Sequence, residues 1–261
     1  MRYVIGDIHG CYDKMQAVLK LASFDFNKDI LYSVGDLCDR GPDCKKVLDW
    51  FCENKTKYPN NLEIIFGNHD VWLYQYLNSM VFDVPFEYEA YSCWLNNGAR
   101  ETIKALQGLP LETLMHYKTI INEFKPYIEL EDFVIQHTPS EVGRIELDLQ
   151  NCIERNQLSK IYDEGYFSRR MIYVSKAIFG SSSDPWKVEP AKKTLVVGHT
   201  PLVKSNELPV PIYDKELNFI CVDTGAFATK ERYGVEGCMT LLNLDTMQFF
   251  TSDNRTGVLK G

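Results

Sequence analysis

The stretch RYVIGDIHG, residues 2–10, carries the pattern from which the fold is predicted: a short apolar run ends in Gly-Asp and a polar cluster. The pattern recurs as ILYSVGDLCDRG over residues 30–41 and as LEIIFGNHD over residues 62–70. Each run is short and rich in aliphatic and aromatic side chains, which is typical of a buried strand. We therefore predict three strands, each followed by polar side chains at its carboxyl end.

Apolar residues recur at helical spacing between these strands. One such stripe consists of Met15, Val18, Leu19 and Ala22, and Pro42-Asp43 is typical of the start of a second helix. The alternation of strand and helix over residues 1–66 predicts an α/β architecture. In α/β sheets, functional side chains lie at the carboxyl ends of the strands.

The rest of the chain extends this architecture. Three further apolar runs predict strands, at residues 133–135, 194–197 and 219–222. We expect residues 78–130 to be largely helical or irregular. Residues 238–253 are expected to form a closing hairpin, so a purely parallel sheet is not expected. We predict one catalytic domain over residues 1–261, with a polar insertion over residues 140–193.

Six side chains with oxygen or nitrogen donors follow the predicted strands: Asp7, His9, Asp36, Asn68, His137 and His199. Asp36 follows Asp7 by 29 positions and Asn68 follows Asp36 by 32, close to the roughly 30 residues of a β-α-β unit. Adjacent strands can therefore deliver these donors to one sheet edge. Carboxylate and imidazole donors together suit borderline divalent cations, and we expect two ions, manganese first, with iron or zinc as alternatives.

The spacing of the donors indicates how they would be divided between two ions. Asp7 and His9 have one residue between them, so on an extended strand tip both can turn toward one ion. Asp36 is the candidate bridge, because a carboxylate has two oxygens. The second ion would be completed by Asn68, His137 and His199. Two ions about 3.5–4 Å apart can share a hydroxide and stabilise an in-line displacement.

Three further residues of the motifs are candidates for catalysis. Arg40 offers a planar guanidinium for two phosphate oxygens. His69 follows the candidate ligand Asn68 and is placed to act as a general acid for the leaving oxygen. Asp39 is a candidate to hold the other ring nitrogen of His69.

These motifs resemble the calcineurin-like metallophosphoesterase superfamily. Within it they resemble the phosphoprotein-phosphatase branch, whose pattern is GDxHG, GDxxDRG and GNH[ED], followed by two later histidines. The nearest resemblance is to bacterial and bacteriophage-lambda-type serine/threonine phosphatases and to symmetrical diadenosine tetraphosphate hydrolases. It covers most of the chain and is weakest over residues 140–193.

The resemblance implies a central β-sandwich of mixed sheets flanked by helices, and direct attack by a metal-bridging hydroxide without a phosphoenzyme. It also implies the ligand sets. One ion would take Asp7, His9 and Asp36, and the other would take Asp36, Asn68, His137 and His199.

The lambda-type proteins carry a second phosphate-binding arginine between the two late histidines, after an aromatic residue and a short polar one. Tyr166-Phe167-Ser168-Arg169-Arg170 has this form. The resemblance therefore implies Arg169 as a second phosphate ligand, with Arg170 as the alternative.

Two substrate classes follow from the resemblance. Trp94-Leu95-Asn96-Asn97-Gly98 and residues 199–226 favour a protein serine/threonine phosphatase, which we expect. Gly41-Pro42-Asp43, together with Asp70 at the end of the third motif, favours the alternative, a symmetrical dinucleoside tetraphosphate hydrolase. A catalytically silent fold that binds a nucleotide or a partner is the distant alternative, and the presence of every ligand and of His69 argues against it.

The net charge and the composition of the chain limit which binding partners and which location are expected. The formal net charge of −8 argues against binding of nucleic-acid polymers and anionic membranes. No apolar run approaches the roughly 20 residues that span a bilayer. The start MRYVIGDIHG lacks a secretory pattern, and the eight cysteines include no C-x-x-C pair. We therefore expect free thiols and a cytoplasmic location.

Overall fold

The computed structural model describes residues 1–138, 191–204 and 209–260, and all structural statements below refer to these residues. The strands are β1 (Arg2–Ile5), β2 (Ile30–Ser33), β3 (Leu62–Ile64), β4 (Tyr127–Glu129), β5 (Phe133–Gln136), β6 (Thr194–Val197), β7 (Ile212–Asp214), β8 (Phe219–Cys221), β9 (Thr240–Asn243), β10 (Gln248–Thr251) and β11 (Thr256–Val258). The helices are α1 (Tyr12–Leu21), α2 (Cys44–Lys57), α3 (Asn68–Phe82), α4 (Tyr88–Asn96), α5 (Arg100–Leu106), α6 (Leu111–Ile121) and α7 (Lys230–Tyr233), with a 3₁₀ turn at Leu202–Lys204.

The strands form two mixed sheets. The first has the order β11-β10-β9-β1-β2-β3, in which β1, β2 and β3 are parallel and β9 joins β1 in antiparallel fashion. The second has the order β4-β5-β6-β8-β7, with a parallel centre and antiparallel edges. The parallel strands bring their carboxyl ends to a common edge in each sheet, which is where the polar clusters follow.

Alternate side chains of the strands pack into two separate cores. Val4 and Tyr32 of the first sheet lie in one buried cluster with Ile135, Val196 and Ile220 of the second sheet. This cluster is the interior of a β-sandwich, because it joins one face of each sheet. The neighbouring positions on the first sheet point to its other face, where they pack against α1, α2, α3 and α6. The two sheets and their flanking helices confirm the α/β sandwich that the sequence led us to expect.

The predicted strands agree with the observed ones except at their ends, whereas β4 (Tyr127–Glu129) lies in the stretch 78–130, where no strand was predicted. The predicted runs extend to Val34, Phe66 and Val222, whereas the strands end one or two residues earlier. Val34 and Val222 still donate backbone hydrogen bonds to Ile5 and Val197 of the neighbouring strands, and the loops that carry the polar clusters follow directly after them. Strands β9 and β10 pair in antiparallel fashion, so the predicted closing hairpin is confirmed.

None of the helices in the described part of the chain combines the length and the apolar character that crossing a membrane requires. Almost all of the predicted insertion over residues 140–193 lies outside the described residues. The single-domain boundaries stay a prediction.

Candidate active site

The loops that follow five strands converge at one edge of the sandwich. Asp7 and His9 follow β1, Asp36 follows β2, and Asn68 is the first residue of α3 after β3. The second sheet contributes the remaining two side chains, His137 after β5 and His199 after β6. The structure therefore brings together all six side chains that the sequence predicts as ligands. Five of them are buried, and His199 is partly exposed.

Asp36 stands between two groups of donor atoms. Its Oδ2 lies 3.5 Å from Nε2 of His9 and 3.4 Å from Nε2 of His137. On one side, Nε2 of His9 is 4.0 Å from Oδ2 of Asp7. On the other side lie Asn68 and His199.

The second group is equally compact. Oδ1 of Asn68 lies 3.2 Å from Nε2 of His137 and 2.9 Å from Nδ1 of His199. The two imidazole nitrogens are 3.2 Å apart. Three donor atoms this close to one another could bind one cation together.

The backbone adopts rare conformations at this edge. His9, Asp36 and His199 have positive φ angles of 44°, 54° and 68°. Strained φ angles of non-glycine residues cluster at functional sites, where the surrounding structure holds them in place. The expected extended tip at Asp7 and His9 is therefore wrong, because the chain turns sharply at His9. This turn still brings both side chains to the same site.

Two glycines allow the loops to approach the carboxylates closely. A Cβ atom at Gly67 would collide with Oδ1 of Asp36, and one at Gly198 would collide with Oδ1 of Asp7. Because the loops are this close, neighbouring backbone amides donate hydrogen bonds to the carboxylates. His69 N donates to Oδ1 of Asp36 at 2.9 Å. His199 N likewise donates to the carboxylate of Asp7, at 3.0 Å from Oδ2.

Backbone carbonyls orient two of the histidine rings. Nδ1 of His9 lies 2.8 Å from the carbonyl oxygen of Cys38, and Nδ1 of His137 lies 2.7 Å from that of Val34. Each carbonyl accepts a hydrogen bond from Nδ1, which leaves the Nε2 lone pair directed toward the site. This arrangement is typical of histidines that bind metal ions.

Two carboxylates of the site, Asp7 and Asp223, are disfavoured in their charged form. Burial, and then the charge of Asp223, raise the pKa of Asp7 well above its ordinary value. Burial raises the pKa of Asp223 to about 6. Burial opposes a charged ring at His137, but the nearby carboxylate of Asp36 raises the pKa of His137 to about 10. A site that concentrates buried negative charge in this way favours the binding of cations.

The donor set fits two divalent cations. One trio of donor atoms comes from His9, Asp36 and His69, and another from Asp36, His137 and His199; within each trio the atoms lie within 4.8 Å of one another. Asp36 belongs to both trios. The mixture of carboxylate, amide and imidazole donors matches borderline divalent ions, without selecting one element.

His69 is held by a buried carboxylate on the side away from the donors. Its Nδ1 lies 2.5 Å from Oδ2 of Asp39, and Nε1 of Trp94 donates to the same oxygen at 2.6 Å. The hydroxyl of Thr102 donates to Oδ1 of Asp39. The sequence predicted the pairing of Asp39 with His69. It did not indicate Thr102, which is 63 positions away from Asp39 and carries no motif signal.

Asp70 fixes the loops that carry the ligands. Its carboxylate accepts hydrogen bonds from the backbone amides of Asp36 at 2.6 Å, Leu37 at 3.0 Å and Gly67 at 2.9 Å. Burial, and then the charge of Asp36, raise the pKa of Asp70 to about 7. The sequence motif links Asp70 only to substrate class, whereas the structure shows that it joins the second and third motifs. The sequence did contain a signal for this role, because an acidic residue three positions after the residue that precedes a helix often caps the backbone amides there.

Arg40 lies where the donor groups meet an open cleft. Its Nη1 contacts Nε2 of His9, and its Nη2 lies 2.9 Å from Nε2 of His69. The backbone amide of Arg40 donates to the carbonyl of Gly98 at 3.0 Å, and the guanidinium packs 4.4 Å from the ring centre of Phe227.

The cleft has a volume of about 720 Å³. Asn68, His199 and Arg40 lie at its inner end. The predicted second arginine, Arg169 or Arg170, lies outside the described residues.

The edge of the β-sandwich thus carries two linked clusters of candidate metal donors beside a cleft that contains an arginine. The sequence profile of the calcineurin-like phosphoesterases matches residues 2–225, and the chain belongs to this family.

Related proteins differ in the substrates that their names give. A symmetrical bis(5′-nucleosyl)-tetraphosphatase of Psychromonas ingrahamii is 42% identical over 71 residues, which are 27% of this chain and 24% of that protein. The matched stretch thus spans about a quarter of the relative. A cold-active protein-tyrosine phosphatase of a Shewanella species has the same fold, with a TM-score of 0.54 at 17% identity over 99% of this chain and 80% of that chain. A serine/threonine phosphatase of Saccharomyces cerevisiae aligns with a TM-score of 0.52 at 13% identity over 92% of this chain and 72% of that one.

Proposed function

We propose that this protein is a two-metal phosphoesterase and that it cleaves dinucleoside tetraphosphates. The observation that carries the two-metal chemistry is the position of Asp36, whose Oδ2 lies 3.5 Å from His9 and 3.4 Å from His137. One carboxylate oxygen within reach of both donor groups suits a bridging ligand. Two bound divalent cations would polarise the phosphate and activate a water molecule for attack.

The ligands in this proposal are those expected from the sequence. Asp7, His9 and Asp36 would hold one ion. The other ion would share Asp36 and be completed by Asn68, His137 and His199. Manganese is the first candidate and iron or zinc are the alternatives, since mixed carboxylate and imidazole donors suit all three ions.

Arg40 and His69 would act on the substrate. The guanidinium of Arg40 would bind two oxygens of the reacting phosphate. In the structure Nη2 of Arg40 lies 2.9 Å from Nε2 of His69. When the guanidinium binds a phosphate instead, Nε2 of His69 would lose this contact. Once freed, Nε2 would take up a proton from solvent and donate it to the leaving oxygen, while Asp39 holds Nδ1 at 2.5 Å.

The cleft supports a dinucleoside tetraphosphate as the substrate. Arg100 and Arg232 line it beyond Arg40, together with the aromatic residues Phe227 and Tyr233. A phosphomonoester has one phosphate, whereas a tetraphosphate extends several phosphates and a base past the reacting centre. Arginines and rings beyond the metal site therefore match the longer substrate. The tetraphosphatases with 42% identity over 71 residues support the same assignment.

Hydrolysis of phosphoserine and phosphothreonine in proteins, the first expectation from the sequence, is the second candidate. The segment from Trp94 to Gly98 favours it, and Leu95, Asn96, Asn97 and Gly98 line the cleft. The cleft is open to solvent at its outer end, where Asn96 and Asn97 are exposed, so a peptide chain has access.

Parallel assays separate the two candidates. Metal-loaded protein is incubated with diadenosine tetraphosphate and with a phosphothreonine peptide, and products are resolved by ion-exchange chromatography. Symmetrical cleavage yields two equivalents of ADP, and phosphatase activity yields inorganic phosphate. We expect kcat/KM to be at least about tenfold higher for the dinucleotide. The Asp36→Asn variant, purified in the same way, controls for contaminating enzymes. A higher kcat/KM on the peptide would reverse the order of the candidates, and inactivity on both would refute the proposed function.

A further inference from the structure

The outer part of the cleft contains a row of contacting side chains that leads away from the metal donors. Arg40 packs on Phe227, whose ring lies 5.6 Å from that of Tyr233 in an edge-to-face arrangement. The guanidinium of Arg232 then lies 5.5 Å from the centre of the Tyr233 ring. Phe227 and Tyr233 are partly exposed and Arg232 is exposed, so this row presents surface to a ligand.

The charge of the cleft differs from that of the protein. Its described lining includes three arginines, Arg40, Arg100 and Arg232, and a single carboxylate, Glu101. The protein as a whole carries a net charge of −8. A positive cleft on an acidic protein attracts anions specifically to that cleft. Arg40 accounts for one phosphate, so Arg100 and Arg232 offer positive charge for further phosphates.

We propose that Arg100, Arg232 and Tyr233 form a subsite for the non-reacting end of a nucleotide. The two arginines would bind phosphates next to the one that reacts, and the Tyr233 ring would stack on the base. This inference rests on the proposed function, since it places the reacting phosphate at Arg40. Tyr233 suits a base because every base has a face on which an aromatic ring can stack. The adjacent Arg232 adds a cation near the same ring, which suits a phosphate attached to that base.

Direct binding measurements test the subsite without relying on turnover. Isothermal titration calorimetry of the metal-loaded protein is carried out with ADP and with pyrophosphate, at a fixed free Mn²⁺ concentration because both compounds chelate the ion. Stacking adds affinity for ADP alone, so we expect ADP to bind about 10-fold more tightly than pyrophosphate. Equal affinities in the wild-type protein would overturn the role of Tyr233.

Variants assign the two parts of the ligand to separate side chains. Tyr233→Ala should abolish the preference for ADP over pyrophosphate and leave the affinity for pyrophosphate within about twofold of wild type. Tyr233→Phe should retain the preference for ADP, because the aromatic ring remains. Arg232→Ala and Arg100→Ala should each weaken both ligands by about 3–10-fold, as expected for a contact to phosphate. Lys230→Ala is the matched control, because Lys230 is exposed on the same short helix and is absent from the cleft lining.

Two results would contradict the subsite. One is a Tyr233→Ala variant that binds ADP as tightly as the wild type, and the other is a pair of arginine variants that retain wild-type affinity for pyrophosphate. Failure of the proposed function has a different signature, namely a wild-type protein that binds ADP but hydrolyses neither diadenosine tetraphosphate nor the phosphopeptide.

Discussion

Nδ1 of His69 lies 2.5 Å from Oδ2 of Asp39, and Trp94 donates a hydrogen bond to the same carboxylate oxygen at 2.6 Å. Because this contact occupies Nδ1, the other ring nitrogen, Nε2, is the one that faces Arg40 and the cleft. The arrangement fits a general acid held in one orientation. It also places Nε2 of His69 3.9 Å from Oδ2 of Asp36, in the donor trio that these two residues form with His9.

Replacement of His69 distinguishes a general acid from a metal ligand. We expect His69→Asn to retain two metal ions per chain and to lower kcat by about 10²–10⁴-fold, which is the usual contribution of a general acid. The loss should be greatest for substrates with poor leaving groups, because these depend most on proton donation. Steady-state kinetics with aryl phosphates of graded leaving-group pKa, together with metal analysis of the same samples, measure both effects. Loss of metal in parallel with activity would identify His69 as a ligand.

The indole of Trp94 should position Asp39 without contacting substrate. Trp94→Phe removes one hydrogen bond to a buried carboxylate, and a bond to a charged group contributes about 1.5–3 kcal/mol. We expect kcat to fall about 10-fold, while KM and metal content stay near wild type. Trp50→Phe is the control, because Trp50 packs against Phe26 and Phe51, outside the site. An unchanged kcat in Trp94→Phe would show that Asp39 is held well enough by Thr102 alone.

Removal of metal should reduce both activity and stability. Burial and the nearby charge of Asp223 raise the pKa of Asp7, so the metal-free site holds carboxylates that repel one another. A bound cation relieves this repulsion, and Mn²⁺ at 100 times its Kd should add about 2.7 kcal/mol to the free energy of unfolding. Chelator dialysis, followed by thermal melts and assays with and without Mn²⁺, measures both quantities. Full activity in protein verified to be metal-free contradicts the two-metal assignment.

Asp36 and Asp7 should differ in their effects on metal content. Oδ2 of Asp36 lies close to histidine nitrogens of both donor groups, whereas Oδ2 of Asp7 lies 4.0 Å from Nε2 of His9 in the first group. We therefore expect Asp36→Asn to weaken binding of both ions and Asp7→Asn to weaken one. Metal analysis of the two purified variants under identical Mn²⁺ concentrations tests the difference. Two ions retained in Asp36→Asn would place the bridge at another residue.

The strands that lead to the site, the helices between the first three of them and the six donor side chains could be predicted from the sequence. These features depend on local periodicity and on motifs whose residues are close in the chain. Asp7 with His9, Asp36 with Arg40, and Asn68 with His69 each lie within a few residues of one another. Their spacing of 29 and 32 positions was enough to place them on adjacent parallel strands, which the observed order β1-β2-β3 confirms.

The tertiary structure was needed to show which side chains hold these motifs in place and what surrounds the cleft. Thr102 and Trp94 reach Asp39 from other helices, and Asp70 joins two loops through backbone amides. Tyr233 contacts Phe227 in a cleft that is also lined by residues from the region of α4 and α5. Contacts of this kind depend on how helices and loops that are distant in the chain pack together. Single side chains such as Thr102 carry no periodic signal, so their roles became visible only once the two sheets had brought the loops to one edge.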